Sequence, residues 1–303
     1  MKRITAVCLS STVQRTVTFN EFAIGKVNRS EKYGIWASGK AVNAARVLNQ
    51  LEKGSVRIVC PIGENDSRRF MELARNDGLE ISAVLVPGNT RECWTVLGRA
   101  DNTTTELVVS EPEICKMNDS TVSSFMDSFM ESLSDSDALL MAGSRPSMWP
   151  EDLPALICKE AVDSGKIVMA DFWGDELKKT LEICVPSIIK INEEEFTATF
   201  GGESKEGGVS GLKKAIVAAS KKYDSIFIVT RGEKSTFAAS KGEMFEVAPE
   251  RIAKPVSTTA CGDAFSAGFL YEYLKEMDIQ AALDKGCWCA SRNAENECPG
   301  SII

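Results

Sequence analysis

Short apolar runs alternate along the chain with segments whose apolar residues recur every three or four positions. Residues 4–9, 56–60, 138–142, 167–171, 187–191 and 225–230 are nearly unbroken apolar runs. Runs of that length read as strands covered on both faces. Between them, residues 42–51, 67–76, 120–133, 150–164 and 208–222 carry the helical period. Strands separated by helices of this length predict right-handed crossovers and a central, mainly parallel sheet flanked by helices. In such α/β sheets ligands sit beyond the carboxyl ends of the strands. Asp171, Asn192 and Thr230 lie at or just past such ends.

Two stretches break this rhythm. Residues 10–37 and 85–111 alternate like strands without helices between them, as in Cys93-Trp94-Thr95-Val96-Leu97 and Thr105-Glu106-Leu107-Val108-Val109. They predict either a small separate sheet or a hairpin extension of the main one. No repeat, low-complexity tract or long linker divides the 303 residues, which read as one domain.

Composition removes several kinds of chemistry. The chain has no histidine, so Ser-His triads, His metal sites and His general bases are excluded, and acid–base work falls to Asp, Glu, Lys, Cys or Tyr. A net charge of −8 argues against a nucleic-acid partner, which needs clustered Lys and Arg. Ten cysteines are spaced irregularly, several inside apolar runs (Cys8, Cys60, Cys184), and read as buried reduced thiols. Cys287-x-Cys289 lacks a second pair at zinc spacing. The apolar run behind Met1-Lys2-Arg3 is too short for a signal peptide, and none approaches a membrane span. The expectation is a cytoplasmic protein with no membrane partner.

The most informative stretch is Ser257-Thr258-Thr259-Ala260-Cys261-Gly262-Asp263, followed by apolar residues at helical spacing (Phe265, Phe269, Leu270, Tyr273, Leu274). A compact loop opening a helix presents unpaired N–H groups to an anion. An aspartate there either caps the helix or works beside a transferring phosphoryl group, orienting or deprotonating the attacking hydroxyl. Gly34-x-x-x-x-Gly39-Lys40-Ala41 approaches a Walker A loop, but it lacks the closing Ser/Thr and a buried strand before it, which excludes that reading.

Five segments together resemble the PfkB, or ribokinase-like, carbohydrate kinases, in the family's order and over nearly the whole chain. The loop at 257–263 is similar to D-T-x-G-A-G-D, and Ser38-Gly39-Lys40-Ala41-Val42-Asn43-Ala44-Ala45-Arg46 to G-G-K-G-x-N-x-A-R. Residues 8–17 resemble the first strand and turn, Gly143-Ser144-Arg145-Pro146 the G-S-L-P turn, and Lys190-Ile191-Asn192-Glu193-Glu194-Glu195 the K-P-N-x-x-E segment. The resemblance is closest to the branch of 1-phosphofructokinase and tagatose-6-phosphate kinase.

The resemblance implies a ribokinase-like fold whose segments 10–37 and 85–111 form a lid that covers the sugar and pairs two subunits. It implies ATP and Mg²⁺ as cofactors and a sugar phosphate as substrate. Asp263 would be the catalytic base, with Ala260, Cys261 and Gly262 supplying the anion loop. Gln14, Gly39, Lys40 and Asn43 would face the sugar, and Arg91, Lys26, Arg29 and Ser144 its phosphate. Lys190, Asn192, Glu195, Thr230, Gly232 and Asn293 would serve the nucleotide, Asn192 and Glu195 organising the metal through water.

The departures matter as well. The family's early aspartate is Gln14 here, two signature glycines are Ser38 and Ala41, and the loop's first glycine is Ala260. Alanine keeps the N–H, and a loop built with it is expected to hold φ below zero. These changes leave two alternatives open: a kinase of an unphosphorylated sugar or nucleoside, and a non-catalytic sensor of nucleotide and sugar.

Overall fold

A computed structural model describes residues 1–30, 32–111, 116–201, 207–253 and 255–303; Glu31, inside the first lid segment, lies outside them. Nine strands form one sheet in the spatial order β13 (Glu243–Val247), β12 (Lys234–Ser240), β11 (Ile226–Arg231), β10 (Ile188–Asn192), β9 (Ile167–Asp171), β8 (Ala138–Ala142), β1 (Ile4–Val7), β4 (Val56–Gly63) and β5 (Ile81–Val86). All neighbours are parallel except β12, which runs antiparallel to both β11 and β13. The unbroken apolar runs are explained by two cores, one on each face. Ile4, Ala6, Leu140 and Ile188 face one, while Val7, Leu139, Met141 and Ile189 face the other.

Helices cover both faces. α1 (Lys40–Leu51), α2 (Ser67–Asn76), α8 (Cys261–Glu276) and α9 (Ile279–Ala294) pack on the first core. α3 (Asp119–Ser134), α4 (Leu153–Asp163), α5 (Asp175–Ile183), α6 (Glu193–Phe200) and α7 (Gly208–Tyr223) pack on the second. None of the described helices is long and apolar enough to cross a membrane.

The arrhythmic segments build a second, four-stranded sheet ordered β3 (Lys32–Ser38), β2 (Thr12–Phe19), β6 (Arg91–Gly98) and β7 (Thr103–Val108). Leu85 and Val86, inside the second segment, belong instead to β5, because pairing with Ile62 and Gly63 extends the main sheet that far. The register aligns Gln14 with Cys93, Thr16 with Thr95, and Thr95 with Glu106. Since side chains alternate across a sheet, these residues share the face turned toward the main sheet. Arg15, Ile35, Trp94 and Leu107 are in register on the opposite face.

Candidate active site

A cleft of about 460 Å³ lies between the inner face of the small sheet and the carboxyl ends of β10 and β11. Residues of the small sheet (Thr12, Gln14, Arg91, Thr95, Glu106) form one wall. Gly39, Lys40 and Asn43 at the start of α1, Lys190, Asn192 and Glu195 around β10, Thr230, and Ala260 to Asp263 at the start of α8 complete it.

Asp263 lies on the first turn of α8 and is only 7 % exposed. The first intrahelical bond there runs from Ala264 N to Ala260 O, at 2.9 Å. The N–H groups of Gly262 and Asp263 therefore precede the ladder, the arrangement that favours an anion. Gly262 lets Lys190 approach closely: a Cβ there would stand 3.1 Å from Lys190 Nζ. Gly39, at φ 118°, is required by conformation as well as by the Ser10 carbonyl, which a Cβ would meet at 3.0 Å.

Behind the anion loop the charges are arranged in a chain. Asp171, at the end of β9, receives Lys190 Nζ at 2.9 Å and Ser266 Oγ at 2.7 Å on one oxygen, and Lys40 Nζ at 3.3 Å on the other. Burial pushes its carboxyl up, but Lys190, Lys40 and the Ser266 hydroxyl outweigh it and hold the group down at about 2. Asp263 behaves oppositely. Burial pushes it up and the nearby Asp171 charge adds to this, while Lys40, the Asn43 amide and Lys190 pull it down, leaving it raised to about 6. Lys40, held by Asp171 and Asp263 against its own burial, is raised and stays charged. A buried carboxylate that titrates near neutrality, beside free N–H donors, suits proton transfer.

Asn43, buried on α1, donates from Nδ2 to Asp263 Oδ2 at 2.9 Å. Its Oδ1 accepts from Ser38 Oγ at 2.8 Å. Gln14 is buried in the lid wall and gives its amide N–H to Thr95 Oγ1 at 3.0 Å and to the Arg15 carbonyl at 3.2 Å. Arg91 gives Nη2 to Thr12 Oγ1 at 3.2 Å, and its buried Nε has no hydrogen-bond partner among the described residues, though a Glu111 oxygen lies 3.4 Å away. Asn192 and Glu195 form a capping box at the start of α6: Asn192 Oδ1 accepts from Glu195 N at 2.9 Å, and Glu195 Oε2 from Asn192 N at 2.8 Å. This leaves the second Glu195 oxygen for other work.

Several expected site residues lie elsewhere. Lys26 and Arg29 are exposed on the loop between β2 and β3 and do not line the cleft. Asn28 closes that loop on itself by bonding both the N–H and the C=O of Ala23, at 2.9 and 2.8 Å. Ser144, which follows Gly143 at φ 96°, turns into a neighbouring groove with Arg145, Trp173 and Lys178. Gly232 forms the exposed turn joining β11 to β12, while Thr230 lines the cleft.

Asn293 is sealed inside. Its Nδ2 donates to Thr259 O at 2.8 Å and Cys261 Sγ at 3.3 Å, and its Oδ1 accepts from Gly300 N at 2.7 Å. With every polar atom engaged it braces the anion loop and is not presented to a nucleotide. Ala260 also departs from expectation, taking φ 66° and ψ 10°. The left-handed turn needed to aim the following N–H groups into the cleft is kept despite the alanine, at roughly 1–2 kcal/mol of strain. Cys261 lines the cleft, but burial pushes its thiol up to about 11, away from the reactive thiolate.

The residues that sequence reasoning left without a role are Asp171, Ser266, Arg46 and Glu106. Asp171 carried a usable signal, a carboxylate at the carboxyl end of a buried strand. Glu106 reaches from β7 to accept the Thr259 hydroxyl at 2.7 Å, tying the lid to the anion loop.

The profile of the pfkB family carbohydrate kinases matches residues 4–301. The chain belongs to that family. It is thus a phosphotransferase of the sugar kinase type, and it is similar to 1-phosphofructokinases. It is 26% identical over 296 residues to the 1-phosphofructokinase of Bacillus subtilis, covering 97% of this chain and 93% of that one. Among solved structures, phosphofructokinase-2 from Escherichia coli in complex with substrates and products superposes with a TM-score of 0.87 at 17% identity, over 98% of this chain and 94% of that one. Ribokinase from Thermotoga maritima gives 0.72 at 19% identity, over 100% and 96%. The fold is ribokinase-like.

Proposed function

We propose that this pfkB-family kinase transfers the γ-phosphoryl group of ATP to a hydroxyl of a sugar phosphate, of the fructose-1-phosphate or tagatose-6-phosphate type, with Asp263 as the base. The observation that carries this reading is the placement of Asp263, buried and raised to about 6, on the turn whose N–H groups open the same cleft. Ionised Asp263 takes or orients the proton of the acceptor hydroxyl. Within the loop 260–263, where the Cys261 N–H is taken by Thr258 O at 3.3 Å, the N–H groups of Gly262 and Asp263 stabilise charge on the phosphoryl group as it is transferred. Arg91, whose buried Nε makes no hydrogen bond and only an ion pair with Glu111 at 3.4 Å, holds the phosphate already on the sugar.

The residues present fit a magnesium ion held through water. Among the described residues no cluster of three or more Asp, Glu, Cys or His could ligate a metal directly. Glu195 keeps one carboxylate oxygen free at the cleft, and Asn192 stands beside it. When bound, the ion would neutralise nucleotide phosphate charge. Thr230 and Lys190 line the nucleotide end of the cleft.

The outer face of the lid supports a homodimer. Tyr33 on β3, Trp94 on β6 and Leu107 on β7 are exposed on that face, and a second copy of this chain would cover them. Leu107→Glu should then yield monomers in sedimentation.

Turnover with ATP across a panel of free sugars, nucleosides and sugar phosphates tests the substrate. Sugar phosphates should be preferred, and Arg91→Ala should raise their KM while leaving ATP affinity nearly unchanged. A second reading, an unphosphorylated sugar or nucleoside, is favoured by the absence of Lys26, Arg29 and Ser144 from the cleft. Faster phosphorylation of a free sugar or nucleoside than of any sugar phosphate would establish it instead.

A further inference from the structure

We propose that Ser38, acting with Arg46, is a positioning residue for Asp263: the two side chains fix the Asn43 amide so that it donates to the Asp263 carboxylate. The functional meaning of this rests on the reading of Asp263 as the base.

The amide of Asn43 has two orientations of nearly the same shape, and its neighbours choose between them. On one side stand Ser38 Oγ at 2.8 Å and Arg46 Nη1 at 3.5 Å from Oδ1; on the other, Asp263 Oδ2 lies 2.9 Å from Nδ2. Arginine only donates and an ionised carboxylate only accepts, so the orientation with oxygen toward Arg46 satisfies both sides. Ser38 supplies the shorter of the two bonds to that oxygen.

Arg46 is buried and spends its remaining donors on Asp77 at 2.7 Å and on the carbonyls of Ala37 and Pro299, each at 2.5 Å. Ser38 is the last residue of β3 and Asn43 lies on the first turn of α1, so the relay spans the Gly39 turn. Glycine occupies the equivalent of position 38 in the signature this segment resembles, so the hydroxyl is an addition in this chain. It supplies a side-chain bond where a glycine would leave Asn43 Oδ1 with only the longer Arg46 contact.

A donor to the charged form of a carboxylate lowers its pKa. The other charged or titratable groups facing Asp263 are Lys40 from α1, Asp171 from β9, Lys190 from β10 and Cys261 from α8. Removing the Ser38 hydroxyl touches none of them directly. Its effect on Asp263 must therefore pass through Asn43.

The test is a carboxyl-carbon NMR titration of the ligand-free full chain, with the Asp263 resonance assigned by its loss in Asp263→Asn. Ser38→Ala should raise the Asp263 pKa by about half a unit or more. It should also lower kcat by roughly threefold to tenfold with the KM for ATP unchanged. Ser38→Thr, which keeps the hydroxyl, should restore the titration. A simple packing role for Ser38 would change the melting temperature and leave the titration where it was. An Asp263 titration in Ser38→Ala within about 0.2 unit of the parent overturns the proposal, whatever the activity. Full activity in Asp263→Asn would overturn the base assignment instead, and the titration would still decide whether Ser38 positions that carboxylate.

Discussion

Lys190, midway along β10, and Asp171, at the end of the neighbouring parallel strand β9, form an ion pair of 2.9 Å between side chains 5% and 1% exposed. The pair holds the lysine against Gly262, where it closes the floor of the anion loop. It also places a permanent negative charge near Asp263, one of the causes that keep the latter raised.

Asp171→Asn should therefore have two separable effects. Leaving the buried Lys190 without its counter-charge should cost about 3–5 kcal/mol of stability, measured by denaturant unfolding. Removing the like charge should lower the Asp263 pKa and move the acid limb of the rate profile to lower pH. An acid limb that moves upward would contradict the electrostatic account of the cleft.

Asp263→Asn should keep nucleotide binding and lower turnover by roughly 10²–10⁴-fold, the usual range for a general base. It should also stabilise the fold by about 1–3 kcal/mol above pH 6. An unfolded aspartate releases its proton near 3.9 and the folded one near 6. The wild-type penalty thus grows as pH rises between those values and is complete above them. Melting curves of both proteins at pH 5 and pH 8 should show the gap widening with pH.

kcat/KM should be level above neutrality and fall as pH drops through about 6, tenfold per unit, as Asp263 takes up its proton. Asp171, held at about 2, stays ionised throughout and contributes no limb in that range. A profile flat down to pH 5 would remove Asp263 from the proton transfer.

Ala260→Gly should raise stability, by about 1 kcal/mol or less, since relief of the left-handed strain is partly offset by glycine's greater unfolded-state freedom. The loop geometry and its donors should be unchanged, so kcat should be equal or higher. Loss of stability in this variant would mean that the alanine methyl contributes packing that outweighs its strain.

Much of the fold was legible because the chain writes it in apolar runs. The strand cores at 56–60, 138–142 and 167–171 lie inside observed strands, because both faces of the sheet are covered and the runs are apolar but for Arg57 and the terminal Asp171. The helix at 42–51 begins two residues earlier in the structure, as Gly39 supplies the turn and Lys40 already helical backbone. Helix α5 was not read: its apolar positions are few, Leu177 being the main one buried. The cleft's membership was legible where motif and backbone coincide, as at Gly39, Asn43, Gly262 and Asp263. It was not legible where a side chain's direction decides. Asn293 lies in the expected helix yet faces inward, Lys26 and Arg29 sit on a self-closed turn, and the positive φ of Ala260 cannot be read from an alanine in a sequence.

The bond between Asn43 and Asp263 joins residues 220 positions apart, and the brace from Asn293 to the anion loop is closed by the Gly300 N–H. On a ribosome the sheet strands from β1 to β11 emerge long before these partners do, and contacts of such separation form late. A nascent chain can thus hold the second core, and even the Arg91 wall, while still lacking Asp263 and the N–H donors beside it. With Asp263 as the proposed base, phosphoryl transfer waits for the last pair of helices to dock, and an incompletely made copy would be inert.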